Sequence, residues 1–522
     1  NNGYAGSPQG GAGIFAEADS WASITLTNVN IDNNIINDSS TSGLGGGIRL
    51  NNNQTLIMNG GSISGNTGLY TAGASAIYSD GGDIYLDGVA INDNINNHTI
   101  ILDGGLTFDA RYTEFVGNWF GDVIRMLEGS YSSLTLDHVE MYNNNNSNSY
   151  AISVANTQGS ISYSRITDNG KYGIHLKEGS NLDISHSTIS NNRFSNAGAG
   201  IFMEQASTLN VENSILYSSI YFGDDFDGAD IVFNEGYEPN TVTVSYSDVG
   251  SVETHDNGTA SFGAWDISLD PQFVDADNGD YSLMASSPCI NSGNPESTDE
   301  DGTIGDMGYS PYINNYSGPD WYVSITSGSD LDGTGSSESP FASITAALSF
   351  SSDEDIIHVS SGTYVERFVI PHDISLVGEG SESTIISGGS PPYAEHSLIE
   401  FESNPSELDG DMLIQGFTLR DNWAWNGGAI NVSALGSNLI LEDLLITNNI
   451  AYNGGGGILL YASGSVTMTN VTLSDNTADR VGGGISINNA ELTMTDCLIE
   501  GNETNNGYAG SPQGGAGIFA EA

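Results

Sequence analysis

Basic side chains are the first thing this sequence lacks. Its 522 residues hold only 10 Lys plus Arg, and lysine occurs twice, at Lys171 and Lys177. A nucleic-acid binder neutralises phosphates with such groups, so that class is excluded. Two cysteines, Cys289 and Cys497, are too few to frame a disulfide scaffold. No run of 18 apolar residues exists, which excludes a membrane-spanning helix. Acid and glycine are what the chain has in excess. Its 66 Asp plus Glu leave a formal charge of −56, and 67 residues are Gly. Hydrophobic residues make up 38% and recur with order, which argues against disorder.

Residues 1–18 and 505–522 both read NNGYAGSPQGGAGIFAEA. Tandem units of 504 residues explain this identity, with the chain as one unit plus an overlap; a duplication of one end is the other account. In the tandem account a unit opens near Asp320 and closes just before it. Residues 1–318 are then the C-terminal part of one unit, with a closure segment at 249–318. Residues 319–522 are the N-terminal part of the next, with a cap at 319–362 and coils over 363–522. Between them, Asn314 to Pro319 is a polar stretch with Gly and Pro that suits a linker.

A shorter period lies inside the long one. A branched aliphatic residue, two polar or small residues and then Asn recur as Ile446-Thr-Asn-Asn449, Leu473-Ser-Asp-Asn476 and Ile499-Glu-Gly-Asn502. The mark continues at Asn34, Asn66, Asn94, Asn118, Asn169 and Asn192, every 23 to 32 residues along most of the chain. Gly-rich marks follow, such as Gly-Gly-Ala-Ile430 and Gly-Gly-Gly-Ile458, and alternating runs such as SVTMTNVTL lie between. The alternation predicts strands with one face buried. Three short strands per repeat define a coil of parallel β-helix, and roughly 13 to 15 such coils would make a rod of about 60–75 Å. The recurring Asn fits a stacked turn, where its amide bonds its neighbour one coil away and its backbone takes left-handed angles. A β-sandwich is the alternative, but it does not space one turn mark so evenly. Longer turns fall at 505–513 and 36–43. A helix is expected from Pro340 in SPFASITAALS, capping the N-terminal end of the coils.

The Gly-Gly-Ala-Ile and aliphatic-x-x-Asn marks resemble the repeats of chlamydial polymorphic outer-membrane proteins and related bacterial right-handed parallel β-helix proteins. The segment from Trp321, WYVSITSGSDLDGTGSSESPFASITAALSF, is similar to the start of pectate-lyase-like β-helix domains of secreted bacterial proteins. The segment SLDPQFVD followed by YSLMASSPCINSGNP and GDMGYSPY resembles their C-terminal closure. The resemblance implies an all-β, right-handed parallel β-helix, a fold that hosts lyases, hydrolases, adhesins and plain stalks.

Catalysis on such a scaffold needs clustered acids and bases. The ten basic residues do not cluster in that way. Arg165, Lys171, Lys177 and Arg193 fall in successive coils and could form a small basic spot with His175, His186, Asp168 and Asp183; a solvated face is the plainer reading. Acidic loops are better candidates. Asp330 and Asp332, Asp275 and Asp277, and Asp299 and Asp301 alternate as calcium ligands do, as does the run Asp224-Asp225-Phe-Asp227. None has a full ligand set, yet self-repulsion at −56 would be relieved by Ca2+. No other cofactor is expected. Trp423 and Trp425 are candidates for carbohydrate contact, or for coil cover. Cys497 is expected to pack as a small apolar residue.

These readings favour a secreted or cell-surface bacterial fibre, stalk or adhesin in a marine or saline setting. Its partners would be further copies of the unit and surface polysaccharide. A polysaccharide-binding or polysaccharide-degrading protein is the alternative, and a passenger domain ahead of a membrane barrel is a third.

Overall fold

The computed structural model describes residues 13–16, 22–36, 44–51, 54–68, 73–95, 97–127, 131–144, 149–170, 172–192, 199–217, 230–233, 238–253, 258–389, 396–401, 410–433, 438–461, 464–505 and 514–521. The longer turns and the run Asp224 to Asp227 fall largely or wholly outside them. The chain forms two compact units, one of residues 1–283 with 288–313 and one of 284–287 with 314–522.

In the second unit every strand pairs in parallel with the strand one coil away. Seven strands, from Asp320–Val323 through Asn438–Glu442 and Ser465–Thr469 to Glu491–Thr495, build one sheet. Two six-stranded sheets and a four-stranded one complete the coils. Register sets like residues above one another. Leu376, Ile414, Leu441 and Met468 form one column, and Ile399, Ile430, Ile458 and Ile485 another. All of these are buried. Each such side chain contributes roughly 1.5–3 kcal/mol through burial, so the columns supply most of the cohesion.

Helix Ile344–Phe350 lies against the first strands of this unit. It begins later than Pro340. Phe341 is drawn into a β-bridge with Val323, and Ser343 is the N-cap, its hydroxyl accepting the Ala346 N–H. Glu366, half-buried, accepts the N–H groups of Ile344 and Thr345 and the Thr345 hydroxyl. Orphan donors at the helix start are satisfied from the coil below.

The first unit has an 11-stranded sheet and a 17-stranded sheet that takes two strands from each coil around a corner. An unbroken column of isoleucines runs through the former: Ile14, Ile48, Ile77, Ile100, Ile124, Ile152, Ile174, Ile201 and Ile231. The closure segment does not simply plug the end. Residues 270–312 fold back along the flank of earlier coils. There Tyr281 donates to Asp168 (2.9 Å), Tyr309 N to Thr188 Oγ1 (3.2 Å) and Asn294 N to Asn213 Oδ1 (2.7 Å).

The asparagine marks stack as a ladder. Asn66 Oδ1 accepts both N–H and Nδ2 of Asn34, at 2.9 and 2.8 Å, and the same pair of bonds links Asn66 to Asn94 and Asn94 to Asn118. It continues through Asn144 to Asn169 and Asn192. A second ladder joins Asn422, Asn449, Asn476 and Asn502. One expectation is corrected. The left-handed residue is not the ladder Asn but the one before it: Asn33, Asp93, Asp168, Asn448 and Asp475 have φ of 54 to 56°. The ladder Asn turns its amide inward, and its predecessor makes the bend. A parallel row of serine hydroxyls at Ser164, Ser187, Ser214 and Ser247 accepts backbone N–H groups at another corner.

Candidate functional surfaces

The acidic loops are structural where their carboxylates are engaged. Asp330 Oδ1 accepts the N–H groups of Ala342 (2.8 Å) and Ser343 (3.1 Å), fixing the approach to the helix. Asp332 is exposed, and its N–H donates to Ser329 Oγ. Asp275 accepts from Asn278 Nδ2, and Asp277 is exposed. Asp299 Oδ2 accepts the Asp306 N–H (2.8 Å), while Asp301 Oδ1 accepts both the N–H and hydroxyl of Thr303. Among the described residues, no group of three or more His, Cys, Asp or Glu is arranged to hold a metal ion.

Of the basic spot, the two cations within the described residues lie on different sheets. Arg165 lies on the 17-stranded sheet, where it pairs with Glu140 (2.8 Å), donates to Gly279 O (2.8 Å) and lies 4.4 Å over the Tyr142 ring. Lys177 ends a strand of the 11-stranded sheet, and Lys171 and Arg193 lie outside the described residues. His175 stacks on Tyr150 at 4.3 Å, and its Nε2 sits 3.2 Å from Glu204 Oε2, out of line for a hydrogen bond. His186 belongs to another face, stacked on Tyr163 at 4.7 Å. Burial raises the Asp168 pKa, countered by the bond from Tyr281. Asp183 accepts from Asn210.

Two arrangements were not anticipated from sequence. On the 11-stranded sheet side, Arg125 Nη1 lies 2.8 Å from His98 Nε2, and the Asp122 N–H donates to His98 Nδ1 (2.7 Å). Burial lowers the His98 pKa, the Asp122 carboxylate opposes this and the Arg125 charge adds to it. The groups of this cluster are engaged with one another. The second is a surface column of rings, Tyr112, His138, Tyr163 and His186, with centroids 4.7, 5.0 and 4.7 Å apart. Each has positive φ, from 44 to 53°, and each stands six positions before a ladder Asn. Ring stacking offsets the strain of left-handed backbone in residues with a Cβ. That constant six-residue offset was the signal in the sequence.

Trp423 and Trp425 do form a surface cluster. Trp425 is 42% exposed, lies 6.4 Å from the Trp423 ring, and meets Tyr452 edge-on at 4.8 Å. Arg480 lies 5.6 Å over Tyr452. Successive coils thus present an aromatic ridge with one cation. Cys497 is half-exposed rather than packed inside, and its thiol donates to Thr495 O (3.3 Å). Cys289 is buried beside Asp248.

Two family models match. Residues 326–519 match a family described as a protein of unknown function (DUF1565), and residues 75–236 match a right-handed β-helix region. Neither spans half of the chain. No curated protein matches. Among solved structures, the chain is similar to the PL6-family alginate lyase AlyGC and to a mutant of it. Identity is 10% and 12%, over 96% of this chain and 97% of theirs, with TM-scores of 0.15 and 0.19. Scores this low carry no argument about activity. Parallel sheets, stacked columns and the match over residues 75–236 make the fold a right-handed parallel β-helix.

Proposed function

We propose that this chain is one 504-residue unit, with an overlap, of a tandem array that serves as an extracellular or cell-surface fibre, stalk or adhesin. One observation carries the reading: the identical residues 13–16 and 517–520 hold the same place in a coil. Gly484 and Ile485 donate to Gly517 O at 3.1 and 2.9 Å, and Gly13 and Ile14 donate to Gly47 O at 3.1 and 2.9 Å. A repeat boundary inside a coil is what consecutive identical units produce. The acidic, lysine-poor surface keeps such a polymer soluble through self-repulsion, and a saline medium or bound Ca2+ relieves it. In this reading the protein is not an enzyme, and its partners are further copies of the unit. Electron microscopy of the native material should show strings with a spacing of roughly 80 Å per unit, weakened by a chelator. Single units alone, with or without chelator, would sink the idea.

A second reading, polysaccharide contact, is favoured by the exposed ring of Trp425 beside Trp423 and Tyr452. Trp425→Ala should then weaken retention in gels containing neutral polysaccharide by about 1 kcal/mol or more. Unchanged mobility against the parent protein would remove this reading.

A further inference from the structure

We infer that the sheet edge formed by Glu491–Thr495 and Leu498–Glu500 is the docking surface for strand Ser23–Asp32 of the next copy. The folded unit then runs from residue 314 to residue 504 and on through residues 1–313 of that copy. This rests on the tandem reading and specifies its joint.

The edge is unfinished. Val466, Met468 and Leu473 are fully covered, but their successors Leu492, Met494 and Ile499 are half-exposed, and Ile518 is 41% exposed. The other raw edge mirrors it. Ile24 and Leu26 are half-exposed, while Leu56 and Met58, which follow them, are fully covered. Each edge therefore shows the apolar columns that the other would cover.

The registers agree at every landmark. Aligning Ile518 with its identical residue Ile14 sets Leu492 on Ile24, Met494 on Leu26 and Ile499 on Ile31. It also sets Asn502 on Asn34, which would join the two asparagine ladders. The left-handed residue Asp496 (φ 53°) falls on Asn28 (φ 52°), and Gly501 (φ 65°) on Asn33 (φ 56°). A groove of about 770 Å³ lies at this edge, lined by Gly464, Ile487, Asn489, Ala490, Glu491, Ala520 and Glu521. It lies where the chain would pass from the strand Ile518–Glu521 to a copy of Ser23.

The test is a permuted chain, residues 314–504 followed directly by 1–313, carrying Val29→Cys. The inferred register sets position 29 beside the native Cys497, one strand spacing away, within reach of a disulfide. Mild oxidation should link the peptides holding residues 29 and 497 within a monomer, as read by mass spectrometry. The permuted parent should melt in one transition, at a higher Tm than the 522-residue chain. A folded permuted chain with no 29–497 link, or one that melts in two separate steps, overturns the inference. So does a permuted chain that cannot fold while the 522-residue chain does. If the link forms but native material shows no strings, the array reading falls and the joint stands.

Discussion

Asn449→Ala is expected to cost about 3–5 kcal/mol, among the largest losses any single side chain here should give. Asn449 is fully buried. Its Nδ2 donates to Leu419 O (3.0 Å), Thr447 O (3.0 Å) and Asn476 Oδ1 (3.1 Å), and its Oδ1 accepts the Asn422 N–H (3.2 Å). Alanine removes this partner from Leu419 O and the Asn422 N–H in a place closed to water, and each orphan costs about 1–3 kcal/mol. Asn502→Ala should cost less, because Asn502 is half-exposed and water can replace its bonds to Leu473 O and Glu500 O. Urea unfolding of both variants checks this. Equal losses at the two positions would mean that burial does not set the strength of the ladder.

Raising the pH from 5 to 9 is expected to destabilise the first unit by a few kcal/mol, with a slope near 1.4 kcal/mol per pH unit for each group while it titrates. Burial pushes the Asp306 pKa up to about 8, with repulsion from Asp299 and Asp301 adding to it and the Asn291 and Tyr312 N–H groups opposing it. Burial pushes Asp248 up to about 7. An aspartate in the unfolded chain titrates near 3.8, so between that value and 7–8 the native state holds protons that unfolding releases. The contribution is whole below the unfolded value and is lost as pH rises through the folded ones. Tm measured at pH 5.5, 7 and 8.5 should fall, and Asp306→Asn should flatten the profile. A Tm that rises across this range would contradict the assignment of buried protonated carboxylates.

The coil was legible because its marks are chemical necessities repeated at the coil length. The left-handed bend was legible too, though it was assigned one residue late. In Ile446-Thr-Asn-Asn449 both final residues are Asn, so type alone cannot separate them. In Ile63-Ser-Gly-Asn66 and Leu473-Ser-Asp-Asn476 the Gly and Asp before the mark identify the bend. Asn144 escaped notice because Met141 stands where a branched aliphatic was sought. Of the four cations considered for a basic spot, the corner of the coil sends the two described ones, Arg165 and Lys177, to different sheets, which no linear spacing records. The fold-back of residues 270–312 was not legible at all. Its bonds join residues more than 80 positions apart, such as Asn294 and Asn213, and no local pattern records them.

That fold-back changes how the first unit can come apart. A stack held only by neighbour-to-neighbour bonds can peel one coil at a time from an open end. Here a strap crosses the stack, with Tyr281 tied to Asp168, Tyr309 to Thr188, and Asn294 to Asn213. Peeling past it requires the strap to lift off several coils at once. The small local openings that proteases exploit are thereby replaced by a single large one. In a fibre of the kind proposed, such a strap is a defence against being nibbled.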